Sequence, residues 1–230
     1  MPEALARFFL ADRQPLVVAG THGKTTTSAM AAKVWSDCGR DPGFLIGGVP
    51  IDLGVSFRCG SGPRFVIEGD EYNAAYFDRG AKFLHYRPET LLVTSVEYDH
   101  ADLYPTPESL LAAYSRLIAL VPESGLIVAC GDSAEIRQLA EAARAPVVFY
   151  GEHATNAVRL LGVPAADSAG VRFRLREESG DELAVTMPVW GVHNVVNALA
   201  VWAAGRRGGI EAGELAGALA RFRGVQRRQE

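Results

Sequence analysis

Short apolar runs alternate with helical stretches along most of the chain. Leu16–Ala19, Phe65–Ile67, Leu91–Ser95, Leu126–Ala129 and Val147–Tyr150 are continuous apolar blocks, the pattern of strands buried on both faces. Between them, residues 24–37, 107–120 and 133–143 carry Ala and Leu at three- and four-residue spacing and read as helices. Pro107 suits a first helical position and Asp132 a cap. After Gly151 the pattern changes. Residues 158–163, 171–176 and 183–187 alternate apolar and polar side chains, with Gly170 and Ser179-Gly180-Asp181 as turns, which predicts an antiparallel ribbon over about 157–187. Helical spacing returns over 192–204 and 211–222. The expected fold class is therefore α/β: a P-loop-containing, mostly parallel sheet flanked by helices, with a small antiparallel β ribbon. Residues 3–10 read as a short helix with little to pack against.

Composition narrows the function classes. The chain has 230 residues and a net charge of −4 with both signs interspersed, so no basic face recommends nucleic acid. No apolar stretch approaches the ~20 residues of a membrane span, and Met-Pro-Glu-Ala lacks the regions of a signal peptide. Cys38, Cys59 and Cys130 are odd in number and form no CxxC pair, which suits reduced thiols in a cytoplasmic protein.

Candidate chemistry begins at residues 19–27, Ala-Gly-Thr-His-Gly-Lys-Thr-Thr-Thr, where a strand feeds a glycine-rich turn and then a helix. Gly20 and Gly23 let backbone N–H groups face inward, and the helix adds its positive end. Lys24 can reach outer phosphates, and Thr25 can ligate Mg²⁺. The spelling is an incomplete P-loop, because Val18 stands where the first glycine usually sits. A second strand ends in Glu68-Gly69-Asp70-Glu71, with Glu68 best placed to offer an acid to Mg²⁺ and Asp70 and Glu71 as supporting or solvated groups. A third ends in Asp99-His100-Ala101-Asp102, where the two acids can orient the His100 ring. A lone loop histidine is ordinarily a hydrogen-bonding or surface residue, so this cluster by itself is ambiguous.

Together these stretches resemble the Mur ligases, ATP-dependent amide-forming enzymes of peptidoglycan synthesis. The resemblance is carried by Gly20-Thr21-His22-Gly23-Lys24-Thr25-Thr26, Glu68-Gly69-Asp70-Glu71, Asp99-His100-Ala101-Asp102, Gly191-Val192-His193-Asn194-Val195-Val196-Asn197 and Gly224-Val225-Gln226-Arg227-Arg228. It implies ATP and Mg²⁺ as cofactors, with Lys24 and the amides of residues 20–26 on the phosphates. It also implies Thr25, Glu68 and His100 at metal, Asn194 and Asn197 on the adenine, and Arg228 near the phosphates, with Arg227 solvated. Lys24, Glu68 and His100 are the implied catalytic set. Asn194 and Asn197 share a helix face, and helix capping near Gly191 is their structural alternative.

The implied organisation is a linker or helix from a missing N-terminal domain over 1–14, a central ATP-binding domain over 15–223, and a linker to a missing C-terminal domain from 224. Within the family, Gly43–Pro50, Tyr72–Asp78 and Lys82–Tyr86 are similar to the recycling subgroup, whose substrates are UDP-N-acetylmuramate and the murein tripeptide L-Ala-γ-D-Glu-meso-diaminopimelate. The L-alanine-adding subgroup and a non-catalytic nucleotide-binding module are the alternatives. Lysine occurs only at 24, 33 and 82, so the carbamylated lysine some Mur ligases carry downstream of the metal histidine has no counterpart. No Asn-Lys-x-Asp sequence supports a GTPase.

Overall fold

The computed structural model describes residues 2–99 and 101–227. A short helix, α1 (Pro2–Leu5), and a π-helical turn (Ala6–Leu10) lead into β1 (Gln14–Ala19) and α2 (Lys24–Asp37). Then come β2 (Gly43–Leu45), β3 (Phe57–Arg58), β4 (Arg64–Gly69), a 3-10 turn (Lys82–His85), β5 (Thr90–Val93) and α3 (Pro107–Ala119). The chain continues through β6 (Leu126–Cys130), α4 (Ala134–Ala140), β7 (Val147–Gly151), β8 (Val158–Asp167), β9 (Gly170–Arg176) and β10 (Glu182–Met187), and ends in α5 (Val192–Arg207) and α6 (Ala212–Leu219). The described strands form one 10-stranded sheet in the order β10-β9-β8-β7-β6-β5-β1-β4-β2-β3. Pairings from β8 across to β2 are parallel, whereas β2–β3, β8–β9 and β9–β10 are antiparallel.

Alternate residues of the central strands enter two cores, one on each face. Leu16, Val18, Val66, Leu92 and Val128 pack toward α2, α5 and α6, while Val17, Ala19, Ile67, Leu91 and Ile127 pack toward α3 and the 3-10 turn. Because both faces are covered, the strands can be apolar without interruption. Helices α2 and α5 are buried around most of their circumference, which their alanine-rich sequences permit.

Several local expectations are corrected. Residues 2–10 do find a partner: Leu10 is buried in the second core, and the Phe9 ring meets Phe57 edge-on at 5.8 Å. The cap of α4 is Ser133, whose hydroxyl accepts from Ile136 N. Asp132 instead ties down the β7–β8 loop, accepting from Glu152 N, His153 N and Asn156 Nδ2. Strand β8 runs beyond Val163 to Asp167 because a register shift between Leu161 and Ala165, with Gly162 at φ +67°, absorbs the irregularity. Pro107 does open α3, behind the capping Thr106. Glu177, in the β9–β10 turn, accepts from Trp202 Nε1 at 2.6 Å and from Arg206 Nε at 2.9 Å, fastening the ribbon to α5. Cys38, Cys59 and Cys130 are all free thiols.

Candidate active site

The site gathers at the C-terminal ends of β1, β4 and β5, where an open α/β sheet leaves a crevice. The turn between β1 and α2 is held by hydrogen bonds to the segment after β5. Thr94 Oγ1 donates to His22 O at 2.6 Å and to Ala19 O at 3.2 Å. Thr21 N donates to Ser95 O and His22 N to Ser95 Oγ, both at 2.9 Å. Thr21 Oγ1 donates to Glu97 O at 3.0 Å and accepts from Glu97 N at 2.9 Å. This close approach requires glycine at position 20: its φ is +149°, and a Cβ there would stand 2.0 Å from Thr94 Oγ1. Gly23, at φ +80°, caps α2 with no side-chain hydrogen bond, so the first amides of that 14-residue helix keep their capacity for an anion.

Lys24 turns back into its own loop. Its ammonium donates to Gly20 O at 2.6 Å and Thr21 O at 3.2 Å, and pairs with the Glu71 carboxylate at 3.1 and 3.0 Å. Of the two acids left between supporting and solvated roles, Glu71 is 2% exposed beside Lys24, whereas Asp70 pairs with Lys82 at 2.7 Å and accepts from Tyr72 N. The Glu71 backbone is held by Tyr104, whose hydroxyl donates to Glu71 O at 2.6 Å. Burial, and then the Glu71 charge, push that phenol up to about 12.

Thr25 and Glu68, both expected at metal, are brought together. Thr25 Oγ1 donates to Glu68 Oε1 at 2.9 Å, and Gly47 N donates to Glu68 Oε2 at 2.8 Å. Parallel pairing makes the meeting possible, since it sets Val18 opposite Glu68 and Ala19 opposite Gly69. Among the described residues no group of three or more His, Cys, Asp or Glu side chains is arranged to hold a metal ion. A hydroxyl beside a single carboxylate nevertheless suits Mg²⁺, which takes oxygen ligands from one or two carboxylates and completes its shell with phosphates and water. His100 and Arg228 lie outside the described residues, so the expected orienting of the His100 ring by Asp99 and Asp102, both exposed, lies outside them too.

A cleft of about 650 Å³ opens between the loop and α5, bounded by His22, Gly23 and Thr26 on one side and by Val192, Val196 and Asn197 on the other. Asn197, 7% exposed, packs so closely on Gly23 that a Cβ there would lie 2.8 Å from Asn197 Oδ1. Asn194, 4% exposed, donates through Nδ2 to Trp190 O at 2.7 Å. Asn197 thus borders this cleft, while Asn194 lines a smaller neighbouring one with Thr26 and Trp190. Arg227 is exposed, as expected, and also lines the cleft. Thr94, Ser95, Glu97 and Gly47 were not singled out from sequence. Gly47 entered only as part of the Gly43–Pro50 stretch, with no role of its own.

The model of the Mur ligase middle domain matches residues 18–205. This chain belongs to the Mur ligase family. A Mur ligase relative from Escherichia coli (strain K12), UDP-N-acetylmuramate–L-alanyl-γ-D-glutamyl-meso-2,6-diaminoheptandioate ligase, is 37% identical over 230 residues, covering 100% of this chain and 49% of that protein. UDP-N-acetylmuramate–L-alanine ligase of Renibacterium salmoninarum is 40% identical, covering 99% of this chain and 47% of that protein. The chain thus spans about half the length of these curated relatives. The fold superposes with a TM-score of 0.89 on the crystal structure of the tripeptide-type ligase from Neisseria meningitides, at 36% identity, covering 98% of this chain and 71% of that one. The sheet flanked by helices is therefore that of a Mur ligase middle domain, as its sequence predicts. No helix among the described residues is long and apolar enough to cross a membrane.

Proposed function

We propose that this chain is the ATP-binding module of an amide-forming ligase that joins the lactyl carboxylate of UDP-N-acetylmuramate to the α-amine of L-Ala-γ-D-Glu-meso-diaminopimelate. The observation that carries this reading is the convergence of Lys24, Thr25 and Glu68 on one glycine-rich helix start. Amide formation from a carboxylate is uphill in water, so the carboxylate must first take up a phosphoryl group from ATP as an acyl phosphate. Two anions must be brought in line for that transfer, and their repulsion must be offset. The uncapped amides of α2 and the Lys24 ammonium supply positive potential at the loop. Thr25 and Glu68 would hold Mg²⁺, which when bound neutralises phosphate charge. In this reading His100 would carry a second metal site and Arg228 would stand near the phosphates. Asn197, beside Gly23, and Asn194 would in the same reading contact the adenine.

A second reading, the L-alanine-adding reaction, is favoured by the 40% identity to the R. salmoninarum enzyme. The tripeptide is preferred here because of the spelling of Gly43–Pro50 and Tyr72–Asp78. Both substrates need surfaces beyond this module, so the isolated chain is expected to bind Mg-ATP weakly and to form no amide. The test is phosphate release by the polypeptide that carries this chain, with UDP-N-acetylmuramate present and with the tripeptide or L-alanine added in turn. Release that requires the tripeptide supports the proposal, release with L-alanine alone selects the second reading, and release with neither refutes both. Lys24→Ala should slow turnover by at least ~100-fold, the scale of removing one preorganised electrostatic group.

A further inference from the structure

We propose that Glu71 is an anionic latch on Lys24 that holds the lysine within its own loop and opposes the arrival of nucleotide phosphates. The proposal rests on the phosphate-loop reading above and adds to it a residue that limits affinity. A lysine ammonium has three donors and no acceptor. In this loop three groups engage it: Gly20 O, Thr21 O and the Glu71 carboxylate. The lysine is itself only 14% exposed, so no donor is left pointing freely at solvent. A phosphate oxygen that binds Lys24 must displace one of these partners, and Glu71 is the one that carries charge.

Glu71 cannot easily step aside. It follows directly on Asp70, whose carboxylate is taken up by Lys82 and Tyr72 N, and its own carbonyl is held by Tyr104. At 2% exposure its carboxylate is not screened by bulk water. When phosphate draws on Lys24, Glu71 becomes a less compensated buried anion facing another anion. Both effects lower affinity for groups that reach Lys24 and favour departure of the product ADP. They leave the rest of the nucleotide unaffected.

The experiment is calorimetric titration of the 230-residue chain and its Glu71→Gln variant with ADP, pyrophosphate and adenosine. Glutamine keeps the volume and an acceptor for Lys24 but removes the charge. ADP and pyrophosphate should bind at least about tenfold tighter to the variant, because a buried unit charge a few ångströms away acts by more than its bulk-water value. Adenosine should bind equally to both. Unchanged or weaker ADP binding by a variant that melts like the parent overturns the latch, because a purely structural pair cannot yield a gain. If the parent binds adenosine but neither ADP nor pyrophosphate any better, the phosphate-loop reading itself fails and the latch falls with it. Should Glu71→Gln not fold, Tyr104→Phe frees the Glu71 carbonyl with both charges intact. It should tighten ADP in the same direction by a smaller factor, and no tightening overturns the latch.

Discussion

Replacing Gly20 by alanine tests whether the glycine-rich loop owes its position to the strand beside it. Two costs can be read from the structure. The backbone at Gly20 sits at φ +149°, a region in which a side chain costs about 1–3 kcal/mol. The new methyl would also stand 2.0 Å from Thr94 Oγ1 and 2.9 Å from Ser95 N, closer than real Cβ contacts come, so Thr94 must move. Moving it breaks the 2.6 Å bond to His22 O, worth about 1 kcal/mol. Together these give a loss of about 2–4 kcal/mol, a large part of the roughly 5–15 kcal/mol that stabilises an ordinary domain. The assay is urea unfolding of Gly20→Ala, Thr94→Ala and the double variant, each paired with ADP titration. The double variant should be more stable than the sum of the single losses by about 1 kcal/mol, because removing Thr94 Oγ1 removes the closest of the collisions and leaves only the backbone of Ser95 to give way. Gly20→Ala within about 0.5 kcal/mol of the parent, with unchanged ADP binding, would refute the claim that Thr94 sets the loop.

Two further outcomes follow from features away from the loop. Asp132→Ala should destabilise by about 1–2 kcal/mol, since four contacts to its carboxylate are lost, whereas Ser133→Ala should cost about 1 kcal/mol by uncapping α4; the reverse order in urea midpoints would show that the cap was wrongly placed. Burial pushes the Tyr86 and Tyr104 hydroxyls from 10.0 up to about 12, so the unfolded chain loses these protons before the native one does. The stability they contribute is complete below pH 10 and is lost as pH rises toward 12. Tyr104→Phe should therefore flatten the fall in urea midpoint across that window, and an equally steep fall would contradict the assignment.

What was legible in the sequence was whatever one segment determines by itself. Buried strands announce themselves as apolar blocks, and α2 was found to the residue because glycine, lysine and threonine mark its start. Glu68 was identifiable as the first acid after an apolar strand. Strands β2 and β3, of three and two residues, are too short for any periodicity to register. Glu71 was ambiguous because its burial depends on Lys24, which is 47 positions away. Thr94, Ser95 and Glu97 gave no signal because their work is done on a loop more than 70 positions upstream. Asp132 and Ser133 are both good capping residues, and only the β7–β8 loop decides between them.

Helix α5 is anchored at both extremities. Its opening turns press Asn197 against Gly23, and its closing turns are clasped by Glu177 through Trp202 and Arg206. The outlying hairpin and the wall of the cleft are thereby parts of one lever with no hinge between them. A substitution at Glu177 therefore loosens the same unbroken helix that walls the cleft.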